Sequence, residues 1–270
     1  MEGLLGILKS GQIWASHIQY LNDASEQEHL WCLLETRTRA RLLNEQDPIV
    51  KQACGSLLSN ISSRSSMDHY VTSFSSNGDL LSQWLSYCPS GVGFSIGFKR
   101  DPILGLPKDR DFSKAKIRTD ISLSPVLYMQ PDDSAFLDHF IDIFIGRQVP
   151  NVPKMGDPLL DAMFSPKVLT FGVLTSLECR VKDASFSAER EYRLIMESHK
   201  DDVRFRAGKS MLIPYRNYEF WTEDSKGICK IIVGPCPNPK LSRDSLQKLI
   251  CTLGYSDVEI VTSAIPYRSW

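Results

Sequence analysis

No apolar run in this chain reaches the roughly 18 residues that a membrane-crossing helix needs, and no basic-then-apolar leader opens it. Neither a membrane span nor a signal peptide is expected, and no membrane partner. An excess of charge is missing as well: 31 basic against 32 acidic residues leave a formal net charge of -1. That balance removes any global attraction to nucleic acid, so such a partner has to be argued from a local basic patch. Metal-ligand spacing is absent too. The seven cysteines (Cys32, Cys54, Cys88, Cys179, Cys229, Cys236 and Cys251) are odd in number, scattered, and form no Cys-x-x-Cys or Cys/His pattern. Each sits in or beside an apolar stretch, which predicts buried free thiols and a reducing cytoplasm. The five histidines (His17, His29, His69, His139 and His199) are far apart, and each reads as a surface or satisfied core residue. No tract is of low complexity and no repeat has solenoid length.

What is present is an ordinary globular composition. With 270 residues, 42% of them hydrophobic, the chain can bury a full core as one large domain or two small ones. A short helical pattern at 3–9 is followed by Gly11 and a strand at 12–15. Asn22-Asp23 reads as a turn, and Ser25 to Glu28 matches a capping box opening a helix that runs to about Leu43. A second helix covers 49–60, a β-branched and aromatic strand 70–75, and a helix beginning at Asp79 carries Trp84 and Tyr87. Residues 91–98 alternate like a strand, with Gly93 and Gly97 as close-packing positions. The stretch 100–119 reads as an irregular surface excursion, and 121–129 as a return to the sheet. Phe136, Leu137, Phe140, Ile141 and Phe144 have helix spacing, and Ser165-Pro166 reads as the start of another helix. Strands are expected at 192–197, 211–214, 228–233 and 258–261, with an amphipathic helix at 242–253 ended by Gly254. Ile-Pro-Tyr-Arg occurs at 213–216 and 265–268, which suggests two similar strand exits. The predicted class is α+β: one domain over 1–270, built on a mixed, largely antiparallel sheet flanked by helices, with a helical insertion at 100–177.

The chemistry concentrates in Phe186-Ser-Ala-Glu189-Arg-Glu191-Tyr192-Arg193. If a strand begins near Glu191, a period of two sets Glu189, Glu191 and Arg193 on one side. Such crowding is costly unless a cationic or polyhydroxyl ligand, a partner arginine or a metal uses it. The plainer alternative is a solvated strand end with a local Glu/Arg pair. A second class is a non-catalytic binding or regulatory module, in which Lys182, Arg193, Arg204, Arg206, Arg216 and Arg268 converge on an anion or nucleic acid. A third is metal-dependent hydrolysis through Asp23, Glu26, Glu189 and Glu191, although Asn22 and Asp23 also suit plain turn chemistry. Trp84 and Tyr87 are as well suited to a core as to a cofactor platform, and Tyr267 and Arg268 as well suited to plugging the sheet.

Several segments in order carry a resemblance. They are Ile7-Leu-x-x-Gly11 with Trp14-Ala-Ser16, Asn22-Asp23 with Glu26, Ser73-Phe-Ser75, and Trp84-x-x-Tyr87 leading to Gly91-Val-x-Phe-x-Ile-Gly-Phe98. Lys182-x3-Phe186-x2-Glu189-x-Glu191-Tyr-Arg193, Ile232-x-Gly234-Pro235 and Ser263-x-Ile-Pro-Tyr-Arg268 complete the set. Across the whole chain they resemble the bacterial domain-of-unknown-function family 2971. Members of that family usually begin with an extra strand; the sequence here starts at Met1 inside the first helix, which is expected either of a reading frame called short or of a chain without that strand. Phe186-x-x-Glu189-x-Glu191 is also similar to the aromatic-x-x-Glu/Gln-x-Glu loop of mono-ADP-ribosyltransferases, with Ser73-Phe-Ser75 in the place of their Ser-Thr-Ser strand. That likeness implies NAD as cofactor and an unidentified protein or nucleic-acid acceptor, in a toxin or phage-defence setting. Glu191 would stabilise the oxocarbenium charge and Glu189 would orient the acceptor. Ser73 and Ser75 would support Glu191, with Phe74, Trp84 or Tyr87 stacking on nicotinamide and Asn22, Asp23, Lys182, Arg193, Tyr267 and Arg268 lining the site.

Overall fold

The computed structural model describes residues 1–21, 27–64, 68–88, 93–100, 121–146, 173–174, 176–197, 202–221 and 226–267. In chain order its elements are α1 (Glu2–Ser10), β1 (Gln12–His17), α2 (His29–Asn44), α3 (Pro48–Ser63), β2 (His69–Ser75), α4 (Leu81–Tyr87), β3 (Phe94–Phe98), β4 (Ile121–Pro125) and β5 (Leu127–Met129). There follow α5 (Ser134–Phe144), β6 (Val181–Asp183), β7 (Glu191–Glu197), β8 (Arg204–Ala207), β9 (Leu212–Glu219), β10 (Ile228–Val233), α6 (Pro239–Thr252) and β11 (Glu259–Thr262). This is the expected α+β class.

The chain divides into two compact units. Unit 1 comprises Met1–His17, Tyr70–Pro125 and Ala188–Trp270; unit 2 comprises Ile18–His69 and Val126–Ser187. Of the segment expected as a helical insertion, β4 belongs to unit 1 and α5 to unit 2. Residues 101–120 and 147–172, including the Ser165-Pro166 helix start, lie outside the described residues.

Unit 1 contains a six-stranded sheet in the order β4-β7-β2-β1-β9-β8 and a three-stranded sheet in the order β11-β10-β3. The pairs β1/β2, β1/β9, β4/β7 and β8/β9 are antiparallel, whereas β10/β11 is parallel. Strand period decides what each face carries. Ile13 and Ala15 of β1, Leu194 and Met196 of β7, Tyr218 of β9 and Phe220 just after it enter one core with Ile231 and Val233 of β10. Leu246 and Ile250, at i and i+4 of α6, close over it. Phe98 joins the two sheets, its ring meeting Phe74 and Phe220 edge-on at 5.6 and 5.0 Å.

Unit 2 is mainly helical. Asp47 caps α3 by accepting from the Ile49 amide at 2.8 Å, with Pro48 at the first helical position. Leu137, Ile141 and Phe144 of α5 pack with Leu30, Trp31 and Leu34 of α2 and Leu57 and Ile61 of α3. Arg37 clamps Asp138 with both nitrogens, at 2.9 and 2.6 Å. The pair is too exposed to contribute more than about 1 kcal/mol, and its main effect is to set the register of α2 on α5. β5 and β6 form a two-stranded parallel sheet beside them.

Candidate functional site

The acidic run does not behave as one strand face. Residues Ala184–Glu189 form 3-10 turns, and Arg190 has φ 48, a left-handed conformation that breaks the alternation before β7 begins. Glu189 therefore ends a turn, half-buried, instead of aligning with Glu191. Within β7 the period of two holds. Leu194 and Met196 face the core, with Tyr192 on the same side, and Glu191 and Arg193 share the opposite face. There Arg193 Nε donates to Glu191 Oε1 at 2.7 Å and Nη2 to Oε2 at 3.2 Å, with Arg193 fully buried and Glu191 5% exposed. The expected carboxylate at an open strand mouth is thus a buried ion pair. Its own neighbour two residues on holds it, because that spacing brings the two side chains together on a strand.

A cleft of about 2020 Å³ opens elsewhere on unit 1. Ser73, Phe74, Ser75, Trp84 and Tyr87 line it as expected, and Tyr192 joins them; Glu189, Glu191, Arg193 and Tyr267 do not. The serine strand still meets the acidic loop through the backbone. Ser75 Oγ donates to the Glu189 carbonyl at 2.8 Å, and the Ser76 amide to the Arg190 carbonyl at 3.0 Å. Phe74 packs edge-on against Phe98, so its ring is committed to the core instead of standing free as a stacking platform. Lys182 belongs to unit 2, where its ammonium lies 4.6 Å from the Phe186 ring. Asn22, Asp23 and Arg268 lie outside the described residues, as does Glu26 of the metal proposal.

Trp84 is a buried wedge held by Asp79. Asp79 does not start the helix, which begins at Leu81; its Oδ1 accepts from Trp84 Nε1 at 2.7 Å and Ser263 Oγ at 2.6 Å, and its Oδ2 from the Ala264 amide at 2.9 Å. Burial pushes this carboxyl upward, but the three hydrogen bonds outweigh it and hold Asp79 below its ordinary value. A depressed acid contributes stability that is complete above its unfolded value of about 3.9 and is lost as pH falls through the folded value. Asp79→Asn is therefore expected to flatten the acid limb of stability against pH, measured as urea midpoints from about pH 5 downward. Profiles of wild type and variant that stay parallel would contradict this.

In the part of the cleft richest in recognition groups, only Arg206 was given a binding role from the sequence. On the face opposite the core, register sets Trp14 beside Asn217 and Ser16 beside Tyr215. The Trp14 and Tyr215 rings lie 4.8 Å apart at 39°, and Trp14 is 54% exposed. The Arg206 guanidinium sits 5.8 Å from the Trp14 ring and donates to Ser16 Oγ at 3.2 Å. Arg206 Nε and Asn217 Oδ1 are buried with no hydrogen-bond partner among the described residues. The legible signal was Ile13-Trp14-Ala15-Ser16, where a large aromatic occupies the polar phase of a half-buried strand.

The convergence of basic residues that the binding-module alternative requires is only partial. Arg204 and Arg206 line the cleft, but Arg216, opposite Ala15, is buried and paired with Asp202 at 3.3 Å. The first Ile-Pro-Tyr-Arg lies inside β9 and is not a strand exit. None of the seven cysteines forms a disulfide, but Cys32 and Cys251 are exposed, against the expectation of buried thiols. Among the described residues, no helix is long and apolar enough to cross a membrane. Comparisons with protein-family models, with curated proteins and with solved structures found no match.

Proposed function

We propose that unit 1 is a nucleotide-binding module whose ligand lies in the cleft against Trp14 and Tyr215. The observation carrying this reading is the pair of buried, unpartnered polar atoms, Arg206 Nε and Asn217 Oδ1, beside an exposed aromatic pair. Leaving such groups unmatched costs about 1–3 kcal/mol each, and a donor and an acceptor next to an aromatic face suit a base with a phosphate attached. Arg204 and Arg206 supply positive charge, while Ser73 and Ser76 offer hydroxyls to a sugar. The volume exceeds the roughly 300–1,000 Å³ of ordinary small-molecule pockets, in keeping with an extended ligand such as a dinucleotide.

Titration of the intact protein with NAD, ADP-ribose, ATP and a mononucleotide, followed by calorimetry, tests this. Saturable binding of at least one is expected. Trp14→Ala and Arg206→Ala are each expected to weaken it about tenfold or more, since stacking on an aromatic contributes about 1–3 kcal/mol per base. No saturable binding by any of the four to folded protein would end the proposal.

ADP-ribosyl transfer from NAD to a macromolecular acceptor is the second reading, favoured by the hydrogen bonds that tie Ser75 and Ser76 to the Glu189–Arg190 loop. It goes with the resemblance to family 2971 and to ADP-ribosyltransferases, and with a bacterial cytoplasmic role in phage defence or toxicity. Glu189, whose backbone carbonyl accepts from Ser75 and which stands outside the Glu191–Arg193 pair, is then the candidate carboxylate. Nicotinamide release that Glu189→Gln abolishes while ADP-ribose still binds would select this reading over simple binding.

A further inference from the structure

We propose that His69, Glu178 and Cys179 form a buried site for a zinc-class transition-metal ion in unit 2, independent of the cleft. The imidazole, carboxylate and thiol ligand atoms all lie within 4.8 Å of one another. The three residues are 6%, 3% and 1% exposed. His69 opens β2, and Glu178 and Cys179 occupy the turn leading into β6.

Three features separate this cluster from a plain buried ion pair. His69 Nδ1 lies 3.7 Å from Glu178 Oε1 and has no hydrogen-bond partner among the described residues. A charge-assisted pair closes to about 2.7–2.9 Å, whereas two ligands at about 2.0–2.2 Å from a tetrahedral ion stand roughly 3.4 Å apart. The spacing is thus closer to that of atoms sharing an ion than to that of atoms sharing a proton. Second, the carboxylate is already oriented: Trp31 Nε1 donates to Oε2 at 2.7 Å and Gln27 Nε2 to Oε1 at 3.3 Å. Donors fixing a ligating carboxylate from behind are the usual outer support of a metal site. Third, the charges match. Thiolate, carboxylate and neutral imidazole sum to -2, which a divalent ion neutralises in a place where unpaired charge is costly.

The donor set names the class of ion. Sulfur with nitrogen and one oxygen selects zinc or a similar ion over magnesium or calcium, which take oxygen alone. Three protein ligands leave the fourth position to water or an exchangeable donor, the pattern of an open zinc site.

The test begins with the wild-type chain, so it does not depend on any variant folding. Protein loaded with zinc, or with cobalt(II) as a spectroscopic substitute, is dialysed and its metal content measured by mass spectrometry. The expected result is a single equivalent retained, with a sulfur-to-cobalt charge-transfer band in the cobalt form. Cys179→Ser is expected to remove that band, and His69→Asn to weaken retention by about tenfold or more, with near-ultraviolet circular dichroism reporting the fold. No metal retained by the wild type, a cobalt spectrum without the sulfur band, or a band unchanged in Cys179→Ser would each overturn the proposal.

Discussion

Arg193→Met is expected to lower the stability of the protein by about 3–5 kcal/mol, because it removes the buried cation that is bonded to the Glu191 carboxylate. Arg193 is fully buried and Glu191 nearly so, and the two share two hydrogen bonds across one strand face. Water cannot screen or solvate what is left behind, so the loss contains the desolvation of the surviving charge as well as the bond itself. Glu191→Met removes the buried carboxylate that faces Arg193 and should cost a comparable amount. The double substitution is expected to cost less than the sum of the singles, since neither member of the pair then remains without the other. Urea denaturation of the four proteins in a double-mutant cycle measures the coupling. Single losses below about 1 kcal/mol, the range of a solvent-exposed pair, would show that the charges are solvated after all. The same result bears on catalysis. Any loss of activity in a Glu191 variant has to be compared with its loss of fold, and Glu189, outside the pair, is the cleaner probe.

The strands and helices that could be read in the sequence are those whose signals are local. Ile228–Val233 was legible end to end as an apolar run broken only by Lys230, whereas α6 begins at Pro239, earlier than the start at 242 that apolar spacing gave. The stretch 121–129 read as one strand but is two, β4 pairing antiparallel with β7 and β5 parallel with β6. Propensity is the same on both sides of Val126, and only the identity of the distant partner separates them. β6 and β8 went unseen because they are three and four residues long, below the length at which a period declares itself.

The site divides in the same way. Ser73, Ser75, Trp84 and Tyr87 were named through a resemblance carried by the short local motifs Ser73-Phe-Ser75 and Trp84-x-x-Tyr87, and they do line the cleft. Trp14, Ser16, Arg206, Tyr215 and Asn217 come from β1, β8 and β9, and only cross-strand register assembles them. His69 and Glu178 are likewise far apart along the chain, which is why spacing rules for metal ligands passed over them. The acidic run misled for a different reason: a period of two was extended back through Arg190, whose left-handed backbone no composition rule announces.

Gly11→Ala is expected to cost about 2–5 kcal/mol, through two effects at one atom. Gly11 ends α1 with φ 67 and ψ 19, its amide donating to the Ile7 carbonyl at 3.0 Å while its own carbonyl accepts from the Phe220 amide at 3.1 Å. A side chain in that left-handed conformation costs about 1–2 kcal/mol. A Cβ there would also lie 2.1 to 2.6 Å from three atoms of the Trp221 ring, and overpacking of that kind adds about 1–3 kcal/mol. Asn separates the two contributions, because it tolerates the left-handed region but brings the same Cβ. If the ring overlap dominates, Gly11→Asn is at least as damaging as Gly11→Ala; if backbone strain dominates, Asn recovers most of the loss. The contact at 2.1 Å favours the first outcome, since no tenth-of-an-ångström adjustment relieves it. Gly11 also joins the helix and strand that supply Ile7, Ser10, Gln12 and Trp14 to the cleft. A shift at this junction is therefore expected to weaken nucleotide binding together with stability. A loss under about 1 kcal/mol in urea, smaller than even the backbone strain alone, would show that this junction is looser than its geometry implies.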